Sequence, residues 1–356
     1  MRIALVAPPF IPVPPPAYGG TELFIANLAE KLQEQGADVV LYTVGESALE
    51  VEKRYLFEKG RWPIEEEIFG SLQDLNHSSW AIRDAAGDCD LIHLNNAPGL
   101  AMTRFISRPC VYTMHHVAHP ILSGYYSYFP EVQFVTISRF QQAKEVMPKL
   151  RTIHHGLKMA LYTPQERKQD YLAFLGRIAP MKGTHLAIEV AKRAGMPLKI
   201  AGEVQPLFKD YFDAEVKPHI DGKNVEYVGE ADLDDKNELL ANARAMLFPI
   251  QWDEPFGLVL IEAMACGTPV LALPGGSAAE IVEEGVAGYV CRTVDEMVQR
   301  ARELNIPAAV VRKHAEDNFS AKRMAADYLQ LYREMLGGGG QTENVEEEEA
   351  PRRLIA

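Results

Sequence analysis

Residues 245–273 constrain the fold more than any other stretch, because they spell a complete strand–helix–strand unit with its own punctuation. The run Ala245-Met-Leu-Phe-Pro-Ile250 is apolar on both faces, as a buried parallel strand is, and Val270-Leu-Ala-Leu273 reads as the next strand. Between them, residues 258–266 read as a helix stopped by Gly267. Parallel strands joined by a helix imply an open α/β sheet, whose ligands bind outside the carboxyl ends of the strands. The first turn of such a helix carries backbone N–H groups without intrahelical partners, and here it faces that crevice. Gly257, just ahead of it, lets a ligand come close.

Two carboxylates in this unit stand out. Glu262 is surrounded by Leu258, Val259, Leu260, Ile261, Ala263, Met264 and Ala265, and a helix apolar all round is buried. A buried carboxylate is costly unless something bonds to it, and a ribose diol offers two hydroxyl donors. The structural alternative is a pair with an internal arginine. Glu254 precedes it by eight positions, in a loop with Trp252 and Phe256, side chains that suit walls around a sugar. Its alternative is a solvated turn residue.

The same grammar recurs along the chain. Strands read at 3–7, 38–43, 91–94, 110–113 and 133–137, and the helix at 21–35 has apolar residues at 24, 25, 28, 29 and 32 before Gly36. The pattern loosens at 153–164, then restarts with strands at 171–176, 198–202, 225–228, 245–250, 270–273 and 288–291. A chain of 356 residues fits two domains of about 150 to 180 residues. We place them at 1–160 and 165–318, each doubly wound. A last helix at 321–336 carries Met324, Tyr328, Leu329, Leu331 and Tyr332. The remainder, 337–356, is glycines followed by an acidic run, the composition of a disordered tail.

Bulk properties narrow the partners. A formal charge of −13 argues against nucleic acid. Lys53, Arg54, Lys59 and Arg61 approach a basic patch, but Glu50, Glu52, Glu58 and Glu65-Glu-Glu67 make that segment read as solvated rather than as a membrane face. No apolar run reaches the roughly 18 residues of a membrane span, and the N-terminus reads as a strand leading into prolines rather than a signal peptide. The four cysteines lack metal-ligand spacing and read as reduced thiols. The protein is therefore expected to be soluble and cytoplasmic, without a transmembrane segment.

Chemistry-bearing residues cluster where strands end. Arg177 and Lys182 flank a loop between a strand and a helix, at a carboxyl edge, where cations stabilise departing phosphate; each alone would be a surface charge. Gly19 and Gly20 follow the first strand, and their alternative is an ordinary turn ahead of a Thr21 N-cap. His115 follows the strand 110–113, with His116 beside it, and no second ligand pair suits a metal. Asp88-Cys-Asp90 mimics a metal motif but only introduces the next strand.

Glu254-x7-Glu262 followed by Ala263-Met-Ala-Cys-Gly-Thr-Pro-Val270 closely resembles the retaining glycosyltransferases of family 4, which have the GT-B fold: two Rossmann-like domains facing a cleft. The resemblance extends through Tyr18-Gly-Gly-Thr-Glu22, Thr113-Met-His115, Ile137-Ser-Arg139, Phe174-Leu-Gly-Arg177 with Lys182-Gly183, Val225-Glu-Tyr-Val-Gly229, and Gly275-Gly-Ser-Ala-Ala-Glu280. Ala7-Pro-Pro-Phe-Ile-Pro-Val-Pro-Pro15 resembles the subgroup that includes the avilamycin-pathway glycosyltransferase.

The resemblance implies a hexosyltransferase using a nucleotide-diphosphate sugar, UDP-sugar first and GDP-mannose second, with a glycan or small-molecule acceptor and no metal cofactor. It assigns Arg177 and Lys182 to the diphosphate, Gly19 and Gly20 to the donor phosphates, His115 to the transferred sugar, and Thr21 with Glu22 to the acceptor. Glu254 would hold sugar hydroxyls, Phe256 and Gly257 would line the sugar, the backbone of Leu258 and Val259 would meet phosphate, and Glu262 would hold the ribose. It also implies that the last helix crosses back onto the first domain. The competing readings are a nucleotide-sugar epimerase of the same architecture and a nucleotide-sugar binding protein with a decayed site. A nicotinamide dehydrogenase lacks its Gly-x-Gly-x-x-Gly.

Overall fold

The computed structural model describes residues 1–16, 19–64 and 66–337. Tyr18 of the glycine motif, Glu65 of the acidic run and the expected tail from 338 onward lie outside the described residues.

Each expected strand is present, within a residue or two at its ends. β1 (Arg2–Val6), β2 (Asp38–Thr43), β4 (Leu91–Leu94), β5 (Cys110–Met114) and β6 (Gln133–Thr136) belong to the first sheet. β8 (Leu172–Leu175), β9 (Leu198–Ala201), β10 (Val225–Gly229), β11 (Ala245–Phe248), β12 (Val270–Ala272) and β13 (Gly288–Val290) make the second. β11 stops at Phe248 because Pro249 has no N–H to give a ladder.

Two strands escaped the pattern. β3 (Glu52–Tyr55) lies in the segment read as merely solvated, and β7 (Leu150–Thr152) has only three residues. β3 is an edge strand held by charge: Arg54 donates to Asp84 at 2.7 Å and to Asp88 at 2.6 Å, and Arg2 bridges Asp38 and Glu52.

All pairings are parallel. The first sheet runs β3-β2-β1-β4-β5-β6-β7 and the second β10-β9-β8-β11-β12-β13. Each reverses direction once, between β1 and β4 and between β8 and β11. At such a switch point the two flanking loops part, leaving a crevice at the carboxyl edge. Gly19-Gly20 follow β1, Arg177 and Lys182 follow β8, and Glu254 follows β11, so the expected site residues flank both crevices.

The last helix, Ala321–Gly337, buries Met324, Tyr328, Leu329, Leu331 and Tyr332 in one core with Phe24, Ile25 and Leu28 of the first helix, Gly20–Glu34. Tyr332 Oη meets His93 Nδ1 at 2.7 Å, and Tyr328 Oη meets Thr113 Oγ1 at 2.8 Å. The last described helix is therefore packed on the sheet that holds β1. Among the described residues no helix is long and apolar enough to cross a membrane.

Candidate active site

A cavity of about 650 Å³ lies between the two sheets, within the usual size of small-molecule sites. Gly19, Gly20, Thr21 and His115 line it from the first sheet's side. Arg177, Lys182, Glu254, Phe256, Gly257, Leu258, Val259 and Glu262 line it from the other. One expected residue stands apart. Glu22 is buried and does not line the cavity; its carboxylate folds back to 3.0 Å from where a Cβ on Gly19 would sit. Burial pushes its carboxyl up to about 7.

Two helices present uncapped N-termini here. Gly257 precedes the helix Leu258–Ala265 at φ 83, and Gly19 precedes Gly20–Glu34 at φ 157; neither end has a side-chain cap. Thr21 is inside the first turn and is not a cap. By contrast, Asp232 and Asp235 form a capping box on the helix Leu233–Asn242, and Thr293 caps Val294–Glu303. A side-chain cap consumes donors that a glycine leaves for an incoming anion.

On the second sheet's side the charges are already paired. Lys182 Nζ bonds Glu254 Oε2, which also accepts from Trp252 Nε1 at 2.9 Å, and Lys182 sits 4.9 Å from the centre of the Trp252 ring. Glu254, 8% exposed, is thus a fixed acceptor and not a solvated turn residue. Its loop is clamped from behind. A Cβ on Gly276 would stand 2.1 Å from the Glu254 carbonyl oxygen, Ser277 N–H donates to that oxygen at 2.9 Å, and Ser277 Oγ donates to Phe256 O at 2.8 Å. The Gly275-Gly-Ser277 segment owes its residues to this close approach. Arg177 donates to Gln205 Oε1 at 3.1 Å.

Glu262 is 2% exposed. Its partners are Tyr162 Oη at 3.1 Å and Lys236 Nζ at 3.4 Å, rather than the internal arginine considered as its alternative.

On the first sheet's side the histidine rings are uncharged, while Lys158, which also lines the cavity, bonds Glu30 at 2.7 Å. Asn95 donates Nδ2 to Val6 O at 3.2 Å, which turns its Oδ1 toward His115 Nε2 at 3.0 Å. His115 Nε2 therefore carries the proton and Nδ1 a lone pair. Burial, then the neighbouring His155, His116 and His93, hold the His115 ring well below the usual histidine range. His155 stacks on it, ring centres 5.6 Å apart and 16° between planes, and meets Phe256 at 4.9 Å. Burial drives His155 down to about 3.

Polar lining residues that sequence reasoning missed include His155, Asn27, Tyr162 and Lys236. His155 was passed over as connector, although a His-His-Gly triplet in a loosened segment was a signal. Asn27, buried with Nδ2 on Gly156 O at 3.2 Å and Oδ1 without a partner, was visible as a polar residue on an otherwise apolar helix face. Tyr162 and Lys236 had no local signal. Among the described residues no group of three or more His, Cys, Asp or Glu side chains is arranged to hold a metal.

Comparison with known proteins bears on both halves. A family model described as Glycosyltransferase Family 4 matches residues 18–154, and one described as Glycosyl transferases group 1 matches 163–305. Spore coat protein SA of Bacillus subtilis is 24% identical over 236 residues, covering 55% of this chain and 60% of that protein. A glycogen synthase of Mycobacterium tuberculosis is 33% identical over 159 residues, covering 43% and 36%. The chain thus spans less than two thirds of the length of these relatives.

Likeness in three dimensions is broader. The structure of AviGT4, a glycosyltransferase involved in avilamycin A biosynthesis, matches with a TM-score of 0.73 at 26% identity, covering 95% of this chain and 98% of that one. Anabaena Alr3699/HepE, solved in complex with UDP and glucose, shares the fold with a TM-score of 0.73 at 19% identity, covering 93% and 99%.

Proposed function

The chain belongs to the family 4 glycosyltransferases of GT-B fold, and from that premise we propose that it moves a hexose from a nucleotide-diphosphate sugar to a hydroxyl acceptor with retention of anomeric configuration. The observation that carries this reading is a single cavity lined by Arg177, Lys182, Glu254 and Glu262 together with two glycine-led helix N-termini. That set matches a donor's parts in order: cations and N–H groups for diphosphate, one carboxylate for sugar hydroxyls, another for a ribose diol.

Lys182 occupies Glu254 now. A donor diphosphate would draw the lysine toward its own charge, and Glu254 would exchange that partner for sugar hydroxyls. The acceptor oxygen then bonds to the anomeric carbon as the bond from that carbon to the β-phosphate oxygen breaks. The acceptor proton passes to the departing phosphate oxygen, on the same face of the sugar. Arg177, Lys182 and the helix N-termini supply the positive charge that stabilises the leaving group, so no metal is required. His115 is a neutral hydrogen-bonding group beside the sugar and not a proton shuttle at neutral pH.

UDP-glucose or another UDP-hexose is the first donor to test, and the fold neighbour solved with UDP and glucose supports that order; GDP-mannose is second. The acceptor is a glycan or small molecule held by first-sheet loops. We place the reaction in the cytoplasm, in keeping with four free, buried cysteines.

A thermal-shift screen of UDP, GDP and ADP and their sugars tests the donor, since a ligand at 100 times its Kd stabilises by about 2.7 kcal/mol. We expect the largest shift with a UDP-sugar; no shift with any nucleotide overturns the reading. NMR of the products with an added acceptor separates outcomes further. Transfer with the donor's anomeric configuration supports the proposal, while release of an epimer from donor alone identifies an epimerase. Mass-spectrometric trapping of a glycosyl-enzyme would overturn same-face attack.

A further inference from the structure

Glu262 stands in a helix that offers it no polar neighbour, yet its carboxylate has two partners from distant parts of the chain. Tyr162 Oη donates to Oε1 at 3.1 Å, and Lys236 Nζ lies 3.4 Å from the same oxygen. Among the described residues, both bonds fall on Oε1 and none on Oε2. All three side chains line the cavity. A carboxylate pinned through one oxygen has its rotation fixed, and the other oxygen is aimed.

The two partners are themselves anchored as one piece. Asn237, next to Lys236, donates Nδ2 to Leu161 O at 2.7 Å and accepts from Thr163 N–H at 3.2 Å, so the helix Leu233–Asn242 grips the backbone on both sides of Tyr162. Arg312 donates to Tyr162 O at 2.8 Å and to Met159 O at 2.9 Å. Burial, and then the Glu262 carboxylate, raises the Tyr162 phenol well above its usual value, so the oxygen keeps its proton and stays a donor.

We propose that Tyr162 and Lys236 are positioning residues that hold Glu262 Oε1 and so present Oε2 to the ribose hydroxyls of the donor nucleotide. The inference rests on the assignment of Glu262 to ribose made above. Neither residue touches the reacting atoms. Their contribution is discrimination between ribose and deoxyribose, because a deoxyribose has no 2′-hydroxyl for an aimed carboxylate to recognise.

The test measures Kd for UDP and 2′-deoxy-UDP by calorimetry on the full chain and on Glu262→Gln, Tyr162→Phe and Lys236→Met. The wild type should prefer UDP. Glu262→Gln should abolish most of that preference; if it leaves the UDP to 2′-deoxy-UDP ratio unchanged, the ribose assignment itself fails. With Glu262→Gln behaving as expected, Tyr162→Phe should weaken UDP about tenfold, the worth of a hydrogen bond to a charged group, and leave 2′-deoxy-UDP nearly unaffected. Tyr162→Phe and Lys236→Met both retaining the wild-type ratio would overturn the proposal alone. A general structural defect weakens both nucleotides equally and counts against it in the same way. The phenylalanine variant keeps the ring packing, and Lys236→Met carries the same reading where Tyr162→Phe unfolds.

Discussion

The two walls of the cavity solve opposite problems. On the second sheet's side every expected charge already has a partner: Lys182 with Glu254 and Trp252, and Glu262 with Tyr162 and Lys236. On the first sheet's side the rings of His115 and His155 are held neutral and stacked, behind a rim of Pro14, Pro15 and Pro16. A wall of paired charges keeps polar groups oriented in a partly dry site, ready to exchange one partner for another. A wall of uncharged rings offers shape and hydrogen bonds, and its positive groups are the Gly19-led helix N-terminus and Lys158, which is paired with Glu30. The difference teaches that the charged side chains of one cavity can be gathered mostly on one wall, while the other contributes rings and a helix N-terminus.

The sharpest way to break the comparison is to remove a charge from the paired wall. Lys182→Met should lower kcat about 10²- to 10³-fold in steady-state transfer assays, comparable to losing one donor to a developing oxyanion. A loss confined to KM would show that Lys182 binds the ground state only and would blur the distinction between walls.

The neutral wall should register in stability against pH instead. Burial lowers His155 of this wall, and His93 in the core of the first sheet behind it, to about 3. Between pH 6.5 and 3 the unfolded chain therefore takes up protons the folded chain refuses, so stability falls on acidification by up to about 1.4 kcal/mol per pH unit per histidine. Glu22, raised to about 7, has the opposite sign: the folded chain keeps a proton that the unfolded one loses above about 4.5, and its contribution is lost as pH rises toward 7. Urea unfolding at a series of pH values should show the acid limb in the wild type, and Glu22→Gln should raise stability at pH 8 relative to pH 5.

The smallest effect is expected between the walls. Lys144 pairs with Asp253 across the two halves, but the side chains are 40% and 54% exposed. Lys144→Ala should change stability by about 0.2 to 1 kcal/mol, measured by the same unfolding curves, and less at high salt.

Legibility in the sequence followed locality. Glu262 stood out because seven apolar neighbours in one helix made its charge anomalous, and that anomaly is complete within eight residues. Arg177, Lys182 and Gly257, which line the cavity, stood out because their loops sit between a recognisable strand and helix. β3 was missed because its Glu52-Lys-Arg-Tyr55 is charged and lies at an edge, where pairing needs no apolar alternation. Glu22 was placed beside the acceptor from its position in a motif, whereas its rotamer folds it over Gly19.

The sequence by itself determined two parallel sheets and the loops at the ends of their strands, because periodicity, glycines and prolines act over a few residues. Only the tertiary structure decided the partners: Tyr162 lies 100 positions from Glu262, Lys182 lies 72 from Glu254, and Tyr332 lies 239 from His93. Side-chain pairing depends on which loops and helices the sheet topology brings side by side and on which rotamers that packing leaves open. No local preference encodes that relation.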